Sequence, residues 1–273
     1  MLSSESALPT TFRELMSLEN TGVDSFVGRT PDYPWGRVYG GQVVSQALRA
    51  AAFTVPDEHR VHSLHAYFIL GGVPKESITY SVDRLRDGRS FTTRRVSARQ
   101  SAGVILTVDA SFQRVEADFD IQESTLPGDV AGPESVERSE WGGMGDVREL
   151  APTSGIARSL IWMRIPEALD DDPVLHACGL AYLSDHNPMD AIVMSHPGGF
   201  DWTQMMNASL DHNIWFHRPA RADDWILFDL AGHGLVNARG MATGSAHSFD
   251  GVHVATIAQE GLVRSPRGSV GND

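Results

Sequence analysis

Three side chains in the second half of the chain, Asp185, Ser209 and Gln259, are of types that together could activate water. A carboxylate can orient a water molecule and take its proton during attack, an effect worth ~10²–10⁴-fold. A hydroxyl and a carboxamide can hold the same water and fix its angle. An aspartate at its ordinary pKa of about 3.9 is ionised at neutral pH but is a weak base, so the electrophile should be an activated one. A thioester qualifies, because its carbonyl lacks amide resonance. The oxyanion formed on attack could be met by N–H groups at a helix N-terminus. The same residues also read as a helix N-cap (Asp185), a strand-surface hydroxyl (Ser209) and a buried hydrogen-bonder (Gln259), and spacing alone leaves both readings open.

The trio stands out because the chain repeats itself. Ser63-Leu64-His65 and Ala110-Ser111-Phe112-Gln113 in the first half are echoed by Ser209-Leu210-Asp211 and Thr256-Ile257-Ala258-Gln259 in the second, with 50 residues from Ser to Gln each time. Equal spacing within a matching order of elements points to an internal duplication. The halves differ 24 residues before the serine, where the second half has Asp185 and the first has Tyr39, followed by Gly40-Gly41. One half thus offers an acid, a hydroxyl and an amide. The other offers only Ser63 and Gln113.

The elements that would position these residues follow from periodicity. Residues 40–52 carry small and apolar side chains at helical spacing, and Pro56 ends the run. Strands are expected at 61–70, 76–86, 91–100 and 104–115, with Asp87-Gly88 as a hairpin turn. Residues 116–153, rich in Asp, Glu, Gly and Pro, read as a long connection with short helical pieces at most. A helical stretch within 170–193 then precedes strands at 208–218, 225–230, 235–242 and 252–262, with a second turn at Asp250-Gly251. The pattern is α+β: two tandem repeats, each a long helix wrapped by an antiparallel sheet, as in a double hot-dog. The expected bounds are 12–115 for the first unit, whose site is degenerate, 116–155 for the linker and 156–264 for the unit with the acid.

Composition limits the partners. With 22 basic and 35 acidic residues, the net charge of -13 argues against nucleic acid and anionic membranes. The lone Cys178 excludes an intrachain disulfide and a cysteine-rich zinc site. The polar start, Met1 to Thr11, does not resemble a secretory signal. No apolar run is long enough to span a membrane, and the Gly/Ser/Arg-rich end from Arg264 reads as a frayed tail. A cytoplasmic location is the expectation. There is no Gly-x-Ser-x-Gly elbow and no His-Glu-x-x-His. His212 and His217, five apart on a strand, face opposite sides, so neither a metal nor a cofactor is expected. Arg84, Arg86, Arg89, Arg94, Arg95 and Arg99 form a dense run that reads as an ion-paired sheet face or as a patch for phosphates.

The sequence resembles the acyl-CoA thioesterase II family, double hot-dog enzymes, from about Phe26 to Arg264. The carrying motifs are Tyr39-Gly40-Gly41-Gln42-Val43-Val44, Leu85-Arg86-Asp87-Gly88-Arg89-Ser90-Phe91 and Ala110-Ser111-Phe112-Gln113. In the second half they are Tyr182-Leu183-Ser184-Asp185, Asp211-His212-Asn213-Ile214-Trp215-Phe216-His217-Arg218-Pro219 and Gln259-Glu260-Gly261. The resemblance implies hydrolysis of acyl-CoA by water activated at Asp185, Ser209 and Gln259, with acyl-CoA as substrate and a homodimer or higher homo-oligomer as the assembly. Two departures stand out. Ser209 replaces the usual threonine and loses the methyl that restrains χ1. His186-Asn187-Pro188-Met189-Asp190 replaces an apolar run. The second departure resembles the Asp-x-Asn-Pro-x-His motif of hot-dog enoyl-CoA hydratases, but with Asp190 where the histidine belongs. A non-catalytic acyl-CoA or acyl-lipid binder is the other alternative.

Overall fold

The computed structural model describes residues 8–141, 143–151, 156–196 and 205–264; the frayed tail expected beyond Arg264 lies outside them. The first half opens with a short helix α1 (Phe12–Leu15) and a hairpin of β1 (Glu19–Gly22) and β2 (Ser25–Gly28), none of which the periodicity announced. Helix α2 (Gly40–Ala52) follows, then β3 (His59–Phe68), β4 (Ile78–Asp87), β5 (Phe91–Gln100) and β6 (Gly103–Arg114), close to the expected spans. The second half contains β7 (Asp146–Glu149), β8 (Arg158–Arg164), α3 (Pro173–Ser184), α4 (Pro188–Val193), β9 (Met206–Ser209), β10 (Asp211–Phe216), β11 (Ile226–Val236), β12 (Arg239–Ser248) and β13 (His253–Arg264).

All the strands join one antiparallel sheet in the order β1-β2-β4-β5-β6-β3-β10-β13-β12-β11-β8-β7, with β9 also paired to β13. The halves meet at β3 and β10, where Leu64 lies opposite Ile214. Three expectations need correction. The connection 116–153 is not only loop: apart from a 3₁₀ turn at Pro133–Ser135 it supplies strand β7, and β8 follows it. The hairpin between β11 and β12 turns at Asn237 and Ala238, both at positive φ, inside the run expected as a strand at 235–242. Two consecutive positive φ values make the tight turn that matches the twist of the flanking strands. Finally, the helical stretch in 170–193 is two helices broken at Asp185–Asn187, because Pro188 lacks the N–H needed to continue α3.

Helix α2 is buried on most sides, as its small residues require. It lies antiparallel to α3: the Tyr39 hydroxyl donates to the Tyr182 carbonyl (2.8 Å), the Ser45 hydroxyl to the Cys178 carbonyl (2.9 Å), and Arg49 pairs with Asp172 (2.7 Å). Cys178 is a buried free thiol at this contact. The sheet cradles α2 with β4, β5 and β6, and α4 with β8, β11, β12 and β13. Strand β5 alternates strictly, so Thr92, Arg94, Val96, Ala98 and Gln100 point inward. Arg94 is consequently in the core, held by the Thr54 hydroxyl and carbonyl, the Arg86 carbonyl and Asp87.

Candidate active site

Asp185 caps the C-terminal end of α3 rather than an N-terminus; the side-chain N-cap of α3 is Asp172, which accepts from the Val174 N–H at 2.9 Å. The break before Pro188 turns the Asp185 side chain toward the start of α2. There the Gly41 N–H lies near enough to the carboxylate to favour its charged form. A side chain at either of the two positions facing it would force its neighbours to shift. A Cβ on Gly40 would stand 2.6 Å from Asp185 Oδ2 and 2.9 Å from the Phe68 ring, and one on Gly41 would stand 2.5 Å from the Tyr182 carbonyl.

Two influences act on this carboxyl in opposite directions. Burial destabilises the charged form and raises its pKa, while the Gly41 N–H, at the positive end of a helix, lowers it. Burial wins, and Asp185 is pushed up to about 7. The expectation of a weak base at an ordinary pKa is thus corrected: a base whose pKa matches neutral pH is the more effective one. Oδ1 is buried and has no hydrogen-bond partner among the described residues, with His212 Nδ1 at 3.9 Å.

Ser209 and Gln259 meet directly, the Gln259 amide donating to the Ser209 hydroxyl at 2.8 Å. Ser209 lies opposite Gly261 on β13, which places the side chain of residue 259 within reach. Asp185 makes no hydrogen bond to either of them. Between Asp185 and this pair stands His212, weighed from the sequence only as a metal ligand. Its Nδ1 lies 2.6 Å from Gln259 Oε1, its Nε2 2.8 Å from the hydroxyl of Ser184, and the ring is completely buried. Burial lowers the pKa of His212 to about 4, so the imidazole is neutral at pH 7. Because Gln259 offers its oxygen to the ring, Nδ1 carries the proton and donates, and Nε2 accepts from Ser184. The available signal was the residue's position: His212 follows Asp211 on a strand whose even-numbered residues His212 and Ile214 are buried.

Aromatic rings close the site on one side. Tyr39 and Trp141 pack edge to face at 5.3 Å, Tyr39 and Tyr182 at 4.9 Å, and Trp141 lies 4.5 Å from His186. In the departing segment, Asn187 donates to the Ser159 hydroxyl at 3.2 Å, and Asp190 sits in the first turn of α4, pushed up to about 7 by burial and by Glu149. The Met189 thioether lies against Gly261, where a Cβ would meet sulfur at 2.2 Å. In the arginine run, Arg84 is engaged by Asp24, Arg95 by Asp109 and the buried Arg94 by Asp87, so half of the run is ion-paired within the fold, in line with the first of its two readings. Among the described residues no group of His, Cys, Asp and Glu could hold a metal ion, and no helix is long and apolar enough to cross a membrane.

Residues 138–262 match the acyl-CoA thioesterase family, and residues 29–113 match the acyl-CoA thioesterase N-terminal domain family. The chain is 33% identical to acyl-CoA thioesterase 2 of Haemophilus influenzae, over 92% of this chain and 96% of that protein. It is 32% identical to human acyl-coenzyme A thioesterase 8, over 92% and 88%. Among solved structures, an acyl-CoA thioesterase II from Mycobacterium marinum superposes with a TM-score of 0.82 at 36% identity, over 95% of this chain and 99% of that one. A hot-dog protein from Alicyclobacillus acidocaldarius, 21% identical with a TM-score of 0.76 over 93% and 98%, shares the fold. The fold and these matches define a hot-dog thioester hydrolase. The chain belongs to the acyl-CoA thioesterase II family.

Proposed function

We propose that this enzyme hydrolyses fatty acyl-CoA to a free fatty acid and CoA by direct attack of water, with Asp185 as the base and Ser209 and Gln259 positioning the water. The observation that carries this reading is the buried Asp185 carboxyl, poised near neutral pKa between the N-terminus of α2 and the His212–Gln259–Ser209 chain. Water adds through oxygen to the thioester carbonyl carbon while its proton passes to Asp185. The carbonyl electrons move to the oxygen, and the Gly40 N–H, which has no intrahelical acceptor at the first position of α2, is suited to receive that charge. Collapse of the tetrahedral species breaks the C–S bond, and the departing sulfur recovers the proton from Asp185. His212 acts on this chemistry only through Gln259, whose amide plane it fixes.

The same proposal includes two tandem hot-dog units, 12–115 and 156–264, joined by 116–155; the two family matches and the join at β3 and β10 support it. Self-association as a homodimer or higher oligomer is part of the reading, supported by Tyr67 and Trp215 exposed on neighbouring strands of the sheet. So is action in the cytoplasm. The test is release of free thiol from acyl-CoAs of several chain lengths, comparing the protein with Asp185→Asn. Binding without release would refute hydrolysis, and release undiminished in Asp185→Asn would refute the role of Asp185.

A further inference from the structure

A cavity of about 620 Å³ opens at the other end of the α2–α3 pair from Asp185. That volume is within the ~300–1,000 Å³ of small-molecule sites. None of Asp185, Ser209 and Gln259 lines it. Leu48 and Ala52 of α2, Val174 and Ala177 of α3, Phe112 and Phe216 make its wall apolar. Between this cavity and Asp185 the two helices close on each other through the Tyr39–Tyr182 and Ser45–Cys178 hydrogen bonds.

Its polar lining is mixed, and part of it is unpaired. His59 lines the cavity at 7% exposure, and neither of its ring nitrogens has a hydrogen-bond partner among the described residues. A buried polar group in that state is costly unless a ligand meets it. Gln113 also lines the same space. At the mouth, the Arg60 guanidinium bonds only the carbonyls of Asp57 and His59, and Arg114 makes no ion pair among the described residues. Asp57 and Glu116 also line the cavity, as does Asp172, which is paired with Arg49. Arg218 lines it too, already paired with Asp120, as do His62 and His217, which bond Ser111 and Thr256. The charges of Arg60 and Arg114 and of Asp57 and Glu116 cancel, so a weakly charged head group that can meet His59 is better suited than a polyphosphate.

We propose that this cavity binds a fatty carboxylate, its chain along the α2–α3 wall and its carboxylate at His59, Gln113 and the Arg60–Arg114 mouth. It is a holding site, separate from the hydrolytic one, and does not depend on the proposed role of Asp185. The test is NMR of dodecanoate labelled with ¹³C at the carboxyl, titrated into the full chain, alongside acyl-CoA hydrolysis. A bound carboxyl resonance should persist in Asp185→Asn and disappear in Ala177→Trp and Ala220→Trp, which fill the cavity from two walls, while thiol release and its chain-length profile stay as in the parent. His59→Phe, a change of similar volume, should weaken binding about tenfold, as expected for losing one hydrogen bond to a charged group. The resonance persisting in both Trp variants, or disappearing in Asp185→Asn, would overturn the proposal. So would unchanged affinity in His59→Phe, which carries the test should the Trp variants not fold. A shifted chain-length profile in the Trp variants would also overturn it, by making the cavity the far end of the substrate channel.

Discussion

The two halves of the chain carry a serine and a glutamine at the same separation, yet only one pair forms a couple. In the second half Ser209 lies opposite Gly261, two residues beyond Gln259, and the two side chains bond at 2.8 Å. In the first half Ser63 lies opposite Ser111, two residues before Gln113, and Gln113 lies opposite Arg60. Ser111 bonds His62 instead. The ladder is shifted, so an identical count along the chain becomes a different geometry across the sheet. The second asymmetry is the acid. Asp185 faces the start of α2, so the second half's carboxylate is completed by the first half's helix.

That contrast can be broken by mutation. Asp185→Asn should lower kcat/KM for thiol release by ~10²–10⁴-fold, the usual worth of a positioned base. Gly40→Ala should come next. Its methyl would stand 2.6 Å from Asp185 Oδ2, and displacing a catalytic group by about 1 Å costs on the order of 10²-fold. Were Gly40→Ala to leave the rate unchanged, the α2 terminus would not be part of the site. Gln259→Leu should reduce kcat by ~10–10²-fold, and His212→Phe by a similar factor with little change in KM, since the ring orients Gln259 without touching substrate. Ser63→Ala should leave hydrolysis unchanged, and a loss there would show that both halves contribute to the chemistry.

The pH dependence sharpens the same point. A base held at about 7 makes kcat/KM rise with pH and level off above neutrality, with its midpoint near 7 instead of near 4. The stability effect has the opposite sign. Asp185 has a higher pKa folded than unfolded, so between about 4 and 7 the native state binds more protons than the unfolded one, and stability falls as pH rises through that window. Asp185→Asn should therefore have a higher Tm than the parent at pH 8 and a similar one at pH 4.5, read by thermal denaturation. A midpoint near 4, or no gain in Tm at pH 8, would mean that the carboxyl is solvated.

Much of this was legible in the sequence because local rules govern it. Helix α2, the four strands after it and the Asp87-Gly88 turn follow from periodicity and turn residues. Spacing and resemblance picked out the trio; the structure joins Ser209 to Gln259, while Asp185 hydrogen-bonds neither. Strands β7 and β8 were not, because β7 is four residues long in an acidic, glycine-rich stretch and is specified by pairing with β8. The raised pKa of Asp185 was hidden too, since it depends on burial by residues distant in the chain. His212 was missed for the same reason: its partners are 28 and 47 residues away, and only the fold brings Ser184 and Gln259 to its two nitrogens. In the arginine run the alternation of β5 was on the page and already placed Arg94 inside. A density of like charges hid that period.

The smallest expected effect concerns Ser209 itself. Threonine would restore the methyl that restrains χ1. The hydroxyl is already held from one side by the Gln259 amide, and Gln259 is held by His212, so the rotamer is largely set without the methyl. Ser209→Thr should then change kcat/KM by less than about tenfold, or less than about 1.4 kcal/mol of barrier. In the His212→Phe background the same substitution should help more, because a hydroxyl no longer steadied through Gln259 has more to gain from a stiff χ1. Equal gains in both backgrounds would mean that His212 and residue 209 act independently, and the chain from Ser184 through His212 and Gln259 to Ser209 would then not be a positioning device.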